Sequence, residues 1–575
     1  MSVDVNFMVG GEAGQGVQSV GFLLAKALAR GGYQVFADQD YESRIRGGHN
    51  FFRVRAKDSW VGAVAEPVDI LVALNQESVE LHQKELAGRG VIVFDDEKAK
   101  GVGGPNLFGV PLASLAEEKS GNRIMANTVA LGAALGLVGY DLEIMDGVLR
   151  DQFGTGEIGQ GNIKAARAGY EYVRENFKGD FSLRLSVLSS GKRMLINGAE
   201  AIALGAIAAG CKFVAGYPMT PSTPILEYMA FKAKDFDLVV VQPEDEISAI
   251  HMVIGASFAG VRAMTATSGS GFCLMVEGLG LSGITETPVV IVDGQRPGPA
   301  VGLPTRTEQG DLEFAIYAHH GNFPRAVLAP ATVEDAFWLT VRAFNLAEKY
   351  QIPVILLPDH HINTSYLTVD RFDLSRVTID RGLLFPAGEG APEYKRHKIT
   401  ESGISPRAFP GQKGLLVMTD SDEHDEAGHL IEDAKTRKEQ VEKRLRKLIS
   451  LKGEIARPGL NGPEAAEITL IGWGSTYGAI REAADILSKK GASVNFLHLN
   501  ELWPFPAEAV AEALSKARNT YVIENNPAGQ LSHLLRAETG IKVGGRILKY
   551  DGRPFTPAEI ARKVSQGEVS HGDLG

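Results

Sequence analysis

Apolar and polar positions along most of the chain follow a pattern typical of short β-strands that alternate with helices. Val3–Val9 alternates as a strand, a glycine cluster follows, and apolar residues then recur at helical spacing, at Val17, Val20, Leu24 and Leu28. Further apolar runs of strand length are Tyr33–Ala37, Ile70–Leu74 and Val91–Phe94. Strands alternating with helices predict βαβ units, and therefore an α/β fold with parallel sheets.

The same pattern recurs twice, so we predict three parallel-sheet α/β domains. Strand candidates in the second block are Phe213–Gly216, Leu238–Val241, Ala263–Thr267, Val289–Val292 and Val354–Leu357; those in the third are Ile468–Ile471, Val494–Leu497 and Tyr521–Ile523. The predicted domains span 1–185, 190–380 and 463–575, with a connector at 381–462.

The connector has a different pattern from the three blocks. An acidic run (Asp420, Asp422, Glu423, Asp425 and Glu426) is interpreted as solvated surface. A charged helix is predicted from about Ile431 to Leu451. Val441, Leu445 and Leu448 form a narrow apolar stripe on it, which predicts packing on that face.

Composition excludes several classes of function. The 575 residues carry a net charge of −11, which gives no basic footprint for nucleic acid. No apolar run is long enough for a membrane span, and no secretory signal is expected, so we expect a cytoplasmic protein. The two cysteines are too few for a [4Fe–4S] cluster and form no CxxC zinc pair.

Two glycine-containing segments of the first block have open interpretations. The cluster Gly10–Gly16 contains Gly14 and Gly16 but lacks the third glycine of the dinucleotide fingerprint. It is either a tight turn or an anion site at a helix N-terminus. The segment 41–50, with Arg44, Arg46 and His49, is either a solvated loop or a polar loop at a ligand mouth.

Two polar segments of the second block follow strands and open helices. In the loop Tyr217–Pro224, three prolines restrict the hydroxyls of Thr220, Ser222 and Thr223, which either cap the next helix or orient a substrate carbonyl or carboxylate. Glu244, Asp245 and Glu246 either favour the helix dipole or include a carboxyl that shares a proton with a heterocyclic nitrogen. His251, on the following helix, is interpreted as an ordinary core or surface histidine.

Three more loops complete this set. They are Thr265–Gly271, the loop that carries Arg296, and Gly302–Asp311. Arginine offers a planar fork for a carboxylate. Loops that follow parallel strands gather at the carboxyl edge of the sheet, where ligands bind. This shared position favours a functional site.

Together these segments resemble the 2-oxoacid:ferredoxin oxidoreductases, over nearly the whole chain. The sequence Tyr-Pro-Met-Thr-Pro-Ser-Thr at 217–223 is similar to the family's YPITPS motif and is the most specific signal. The first block resembles a gamma-type domain fused in front of an alpha subunit. The block from Ile468, with Trp503–Pro506 and Glu524–Asn526, resembles the transketolase C-terminal-like domain.

The resemblance implies thiamine diphosphate chemistry in the second, pyrimidine-binding-type domain. Glu246 aligns with the glutamate that hydrogen-bonds the aminopyrimidine ring, and Tyr217 and Pro218 with cofactor-binding positions. Thr220 and Arg296 align with residues that bind the oxoacid. The family decarboxylates a 2-oxoacid, passes electrons to ferredoxin and forms an acyl-CoA, and it also runs in reverse to fix CO₂.

Features that the chain lacks imply a partner. No Gly-Asp-Gly triplet for the diphosphate and Mg²⁺ occurs, and the cysteines for a 4Fe–4S cluster are missing. In the family both belong to a beta subunit. We therefore expect a shared active site, inactivity of the isolated chain and a dimer of alpha–beta heterodimers that reduces ferredoxin. Coenzyme A is the expected co-substrate, with Gly14, Gly16, Arg44 and Arg46 as candidates for its phosphates.

The domain order of the resemblance points to 2-oxoglutarate as substrate, with pyruvate or a branched-chain oxoacid as the alternative. Arg306 and His320 are candidates for a second carboxylate because they follow Arg296 closely in sequence. Hypotheses of two other classes remain, a self-contained nicotinamide dehydrogenase and a non-catalytic scaffold of a redox complex.

Overall fold

The computed structural model describes residues 3–44, 47–99, 104, 106–188, 193–386 and 394–570. Arg46, a candidate for binding the phosphates of coenzyme A, lies outside these residues. The chain divides into two compact units: the first comprises 1–196, 364–371 and 556–559, and the second comprises 197–363, 372–555 and 560–575. Within the described residues, no helix is both long and apolar enough to cross a membrane.

The described chain contains strands and helices throughout. The strands are β1 Asp4–Ala13, β2 Gln34–Asp40, β3 Gly47–Lys57, β4 Val68–Ala73, β5 Leu86–Asp95, β6 Leu107–Val110, β7 Met194–Asn197, β8 Phe213–Ala215, β9 Val239–Val241, β10 Ala263–Thr267, β11 Val289–Asp293, β12 Ala326–Leu328, β13 Pro353–Leu356, β14 Tyr366–Val369, β15 Leu460–Asn461, β16 Ile468–Trp473, β17 Val494–Leu499, β18 Glu501–Trp503, β19 Asn519–Glu524 and β20 Gly545–Leu548. The α-helices are α1 Val17–Arg30, α2 Gln76–His82, α3 Leu112–Ser120, α4 Ala126–Val138, α5 Leu142–Phe153, α6 Glu157–Asn176, α7 Gly198–Ala208, α8 Thr223–Phe236, α9 Glu246–Phe258, α10 Gly269–Thr285, α11 Leu312–Tyr317, α12 Val333–Tyr350, α13 His360–Thr364, α14 Ala434–Glu454, α15 Tyr477–Lys489, α16 Ala507–Leu514, α17 Gln530–Thr539 and α18 Pro557–Gln566. The α/β class predicted from the sequence is confirmed.

The first unit contains an eight-stranded sheet of order β6-β5-β4-β1-β3-β2-β14-β7. It is mixed, and the prediction of a wholly parallel sheet is wrong here. β4, β5 and β6 continue parallel to β1, but β3 lies antiparallel between β1 and β2. The connection from Asp40 to Gly47 is too short for the helical crossover that a parallel pair needs. The predicted loop 41–50 is therefore wrong in part, since Gly47–Asn50 opens β3.

The second unit contains two further sheets. The central one has the order β18-β12-β13-β11-β10-β8-β9, parallel except for β18 at its edge. The third has the order β15-β17-β16-β19-β20, parallel except for β15. One buried apolar cluster joins them, since Phe272 and Ile291 belong to the same core as Trp473 and Leu535. The third, C-terminal sheet therefore shares a hydrophobic core with the central sheet.

Helix α14 buries a polar face, and the predicted apolar stripe is wrong. Its buried residues are Gln440, Lys443, Arg444, Lys447 and Leu451, whereas Val441, Leu445 and Leu448 are only partly buried. The reason is electrostatic, because the fully buried Glu286 after α10 pairs with Lys443 and, at 2.5 Å, with Lys447.

The acidic run of the connector is also not wholly solvated. Glu423 has a side chain only 11% exposed and pairs with Arg437 and, at 2.8 Å, with Arg444 of α14. Oppositely charged partners on the helix make this partial burial tolerable.

Candidate active site

The carboxyl edge of the central sheet collects the loops that the sequence singled out. The parallel register places the ends of β8, β10, β11 and β13 side by side, with Thr267 opposite Asp293 and Val214 opposite Met264. The loops 216–222, 268 and 294–311 therefore leave the sheet at one edge, as expected for an α/β ligand site.

Glu246 is a buried carboxylate at this edge. It is the first residue of α9 and only 3% exposed, while Asp245 caps the helix by accepting from the Ser248 N–H at 2.8 Å. The Thr267 hydroxyl donates to Glu246 Oε1 at a long 3.5 Å. Gly271 of α10 lies so close that a methyl group there would overlap Glu246 Oε1. The carboxylate is thus held in place but weakly bonded, which suits an acceptor for a ligand N–H group.

The two acidic neighbours of Glu246 have ordinary roles. Asp245 is the helix cap, and the exposed Glu244 accepts a hydrogen bond from the Ser248 hydroxyl at 2.9 Å. His251 contacts the Ile247 carbonyl at 2.7 Å and Glu277 at 3.3 Å near the surface. Of the three acids, only Glu246 combines burial with a position at the sheet edge.

The loop before α8 is fixed by buried contacts. Ser222 is fully buried and donates to the Thr267 carbonyl at 2.5 Å; its side chain makes no capping bond, so the capping hypothesis is wrong for this residue. Arg296 donates to the Thr220 carbonyl at 2.7 Å, which brings these two predicted substrate residues together. Tyr217 and Pro218 are exposed at the start of the same loop.

Arg296 is the half-buried cation of this edge. Burial lowers its pKa, and the nearby Asp311 carboxylate opposes that change. The Arg296 guanidinium is thus charged and partly desolvated, and in such an environment its attraction for a carboxylate is stronger than in water. This position favours binding of an anionic substrate group.

Three acids in the segment 293–311, which contains Arg296, were missed as functional candidates by the sequence analysis. Burial and the charge of Asp311 raise the pKa of Asp293 well above its ordinary value. Burial also raises the pKa of Asp311 to about 6, although Arg296 lowers it, and burial followed by the charge of Asp311 raises the pKa of Glu308 to about 7. The position of Asp293 at a strand end, just before Gly-Gln-Arg, was the available signal.

Gln309 is a fourth residue that the sequence did not reveal. Its side chain donates to the Trp473 carbonyl at 2.8 Å and accepts from the Asn525 N–H at 3.0 Å, and its own N–H donates to the Asn525 carbonyl at 2.7 Å. Asn526 donates to the Gln309 carbonyl at 3.1 Å. The C-terminal sheet therefore positions the loop that carries Glu308 and Asp311.

The two candidates for a second carboxylate, Arg306 and His320, have different surroundings in the structure. Arg306 lies in the 302–311 loop, donates to the Thr305 carbonyl at 3.0 Å and packs against Gly552. His320 lies beside Gly280 of α10, whereas Asp311 lies against Gly269 at the start of that helix. The helical rise separates these two positions by roughly 16 Å. His320 instead lines a cavity of about 240 Å³, together with Glu277, Phe323 and Arg437.

The glycine loop of the first unit is a closed turn. Gly14 and Gly16 have φ of 92° and 78°, values that favour glycine. The Gln15 side chain accepts from the Glu12 N–H and donates to the Glu12 carboxylate, both at 3.0 Å, and Asn127 donates to the Gln15 carbonyl at 2.6 Å. These contacts explain the tight turn. The binding of an anionic ligand by this loop stays a prediction.

The segment around Arg44 and His49 is polar. Arg44 has a side chain 64% exposed and pairs with Glu42 at 2.8 Å. His49 Nε2 lies 2.7 Å from His82 Nε2, and burial followed by the His82 charge lowers the pKa of His49 to about 4. His49 is therefore neutral at physiological pH, and Arg44 is an exposed cation of this segment.

Comparisons with known proteins cover nearly all of the chain. Residues 6–172 match the family described as pyruvate ferredoxin/flavodoxin oxidoreductase, 204–443 the thiamine diphosphate-binding pyruvate flavodoxin/ferredoxin oxidoreductase family, and 466–560 core domain II of pyruvate:ferredoxin oxidoreductase.

Individual relatives agree with these families. The alpha subunit of 2-oxoacid:ferredoxin oxidoreductase 2 from Aeropyrum pernix is 32% identical, over 99% of this chain and 100% of that one. The 2-oxoglutarate synthase subunit KorA from Archaeoglobus fulgidus is 39% identical, over 65% of this chain and 99% of its own. The 2-oxoglutarate:ferredoxin oxidoreductase of Magnetococcus marinus, solved with 2-oxoglutarate, coenzyme A and succinyl-CoA bound, is 34% identical with a TM-score of 0.92, covering 98% of this chain and 99% of that chain.

The family expected from the motifs is thus confirmed, and with it an oxidoreductase subunit that uses thiamine diphosphate. The matched thiamine diphosphate-binding region contains Glu246, Thr220 and Arg296. The chain belongs to the alpha subunits of the 2-oxoacid:ferredoxin oxidoreductases.

Proposed function

We propose that this chain supplies the oxoacid-binding half of an active site that converts 2-oxoglutarate and coenzyme A into succinyl-CoA, CO₂ and reduced ferredoxin, reversibly. The grouping of Glu246, Thr220 and Arg296 at one sheet edge carries the proposal. The names of the Archaeoglobus and Magnetococcus relatives support 2-oxoglutarate. Pyruvate or a branched-chain oxoacid is the alternative substrate.

The residues at this edge fit thiamine diphosphate. Glu246 offers a buried carboxylate with one long hydrogen bond, and Gly271, which has no side chain, leaves room for that carboxylate. Ser268 and Thr265 add buried hydroxyls that have no hydrogen-bond partner among the described residues. When bound, the cofactor supplies the carbon nucleophile and the electron sink for decarboxylation. Glu246 would hold a proton between its Oε1 and a ring nitrogen.

Arg296 and Thr220 would orient the substrate. The half-buried guanidinium presents N–H donors to the oxoacid carboxylate, and its bond to the Thr220 carbonyl fixes its direction. Arg306, in the 302–311 loop, remains the candidate for the second carboxylate of 2-oxoglutarate. His320 is disfavoured by its position beside Gly280.

A beta subunit would complete the site. The chain has two cysteines, Cys211 buried and Cys273 exposed, and no Gly-Asp-Gly triplet. The 4Fe–4S cluster and the Mg²⁺ that anchors the diphosphate would therefore come from the partner, in a dimer of alpha–beta heterodimers that transfers electrons to ferredoxin. Coenzyme A would place its phosphates at the glycine loop, near Gly14, Gly16 and Arg44.

The test uses the chain co-purified with its beta partner. Reduction of methyl viologen is measured with coenzyme A and either 2-oxoglutarate or pyruvate. Activity with 2-oxoglutarate alone supports the proposal, activity with pyruvate alone overturns the substrate, and no activity with any 2-oxoacid overturns the chemistry. Glu246→Gln should lose about 10²–10⁴-fold in rate, while the exposed Glu244→Gln serves as its matched control. Full activity of Glu246→Gln would instead support a scaffold role.

A further inference from the structure

Arg546, in the C-terminal sheet, is a buried arginine with an unpaired N–H group. It belongs to β20, and only 4% of the residue is exposed. Its Nη1 atom is shielded from solvent and forms no hydrogen bond with a described residue. Burying part of a guanidinium in this way is unfavourable, because its donors lose their hydrogen bonds to water. Such a group gains strongly from an anionic ligand that accepts from it.

The guanidinium reaches a small cavity at the start of α17. A methyl group on Gly529, the residue before this helix, would stand 3.4 Å from Arg546 Nη1 and 3.7 Å from Ser532 Cβ. Nη1 and Ser532 are therefore neighbours, and both residues line the cavity. The polar residues of its lining are Ser532, His533, Arg536, Lys542, Arg546 and Ser570.

The cavity has a cationic lining. No acidic residue is among the described residues that form it, and Arg536 and Lys542 are exposed at its mouth. The buried Glu524 lies close by, but it accepts hydrogen bonds from the Leu531 and Ser532 N–H groups at 2.9 and 3.2 Å. The free donors of the first turn of α17 are thus engaged, so an anion in the cavity would be bound by side chains.

The walls of the cavity are held by the fold. Arg546 and Ser570 exchange two backbone hydrogen bonds, of 3.0 and 2.9 Å, which fix Ser570 against β20. A methyl group on Gly529 would stand only 3.1 Å from Arg546 Cδ, so the absence of a side chain at this position leaves room for the arginine. A preformed arrangement of this kind loses little entropy when a ligand binds.

We propose that this cavity binds one phosphoryl group, either of inorganic phosphate or of a phosphate ester. The cavity volume is about 20 Å³, whereas one water needs about 10–15 Å³, so it admits the oxygens of one small anion and excludes a nucleobase. A phosphoryl group has a charge of about −1.5 to −2 at neutral pH and three strong acceptor oxygens. These match two guanidinium groups, an ammonium group and two serine hydroxyls better than a singly charged carboxylate does. The inference does not depend on the proposed function, because the cavity shares no lining residue with the oxoacid site.

Phosphate binding by the assembled alpha–beta complex tests the proposal. The complex is saturated with thiamine diphosphate, the ionic strength is held constant with chloride, and inorganic phosphate is titrated by calorimetry at neutral pH. We expect saturable binding with a Kd of about 1 mM or below. Arg546→Met should weaken it by at least about tenfold because a buried charged donor is lost. Lys542→Glu should weaken it by about tenfold because it places a like charge at the mouth.

Lys490→Glu is the matched control for Lys542→Glu. Lys490 is another exposed lysine, just after α15, and its substitution makes the same change in net charge. It should leave the affinity for phosphate unchanged. If Arg546→Met does not fold, the comparison of Lys542→Glu with Lys490→Glu decides. Absence of saturable binding, or equal affinity in Lys542→Glu and Lys490→Glu, overturns the proposal.

A second measurement locates the anion directly. Crystals of the complex soaked with tungstate should show an anomalous peak beside Arg546 and Ser532, and peaks only elsewhere would overturn the site. Titration of AMP into the phosphate-loaded complex distinguishes the sources of the group. Displacement of phosphate by AMP supports a phosphate ester as the ligand, and failure of AMP to displace it supports the free anion.

Discussion

Gly271→Ala tests whether the position of Glu246 is as critical as its burial implies. Gly271 belongs to the first turn of α10, and a methyl group there would overlap both Glu246 Oε1 and Thr267 Oγ1. The side chains of Glu246 and Thr267 are both buried, so the added methyl group must displace both of them. The substitution therefore shifts the carboxylate without changing its chemistry.

The magnitude follows from the contact distances. Restoring an ordinary carbon–oxygen contact moves the Glu246 carboxylate by about 1 Å. A displacement of about 1 Å at a reacting group can reduce the rate by about 10²-fold. Stability should change less, because crowding costs about 1–3 kcal/mol while alanine gains about 1 kcal/mol over glycine in a helix.

The assay compares oxoacid-dependent viologen reduction, bound thiamine diphosphate and thermal unfolding of the complex. Gly453→Ala is the matched control, because Gly453 lies in α14 with open space around it. It should keep full activity and gain about 0.5–1 kcal/mol in stability. A folded Gly271→Ala complex with activity within twofold of the unmodified one would refute the assigned role of Glu246.

Three further outcomes are expected. Arg306→Ala should raise the KM for 2-oxoglutarate with little effect on a monocarboxylic oxoacid; equal losses for both, in steady-state assays, would refute the second-carboxylate role. Gln309→Leu should cost about 1–3 kcal/mol, measured by urea unfolding, because the Asn525 N–H loses its acceptor while the Trp473 carbonyl keeps its hydrogen bond from Thr476. Glu286→Gln should cost about 3–5 kcal/mol at pH 7 because it leaves buried lysines unpaired. Lys443 and Lys447 hold the pKa of Glu286 well below its ordinary value. The difference in unfolding free energy between the unmodified protein and Glu286→Gln should therefore persist above about pH 4.3 and shrink as the pH falls further. Unfolding curves at several pH values check this trend.

The sequence contained enough local information for the α/β class and for the edge where the site lies. Strand-length apolar runs followed by polar loops place Thr220 after β8, Glu246 after β9 and Arg296 after β11, and parallel topology then brings them to one edge. The sequence also predicted a loop of small residues up to Gly271, which is wrong for its last residues because α10 begins at Gly269. None of these inferences needs a contact between distant segments.

Tertiary structure decided the features that depend on distant partners. The polar face of α14 is buried because Glu286, 157 residues before Lys443, lies beneath it. Gln309 became a positioning residue through Trp473 and Asn525, and burial together with the charge of Asp311 raised the pKa of Asp293. Periodicity records which face of an element is apolar. It does not record which charge or hydrogen-bond partner lies opposite, because the free energy of a buried polar group depends on that partner.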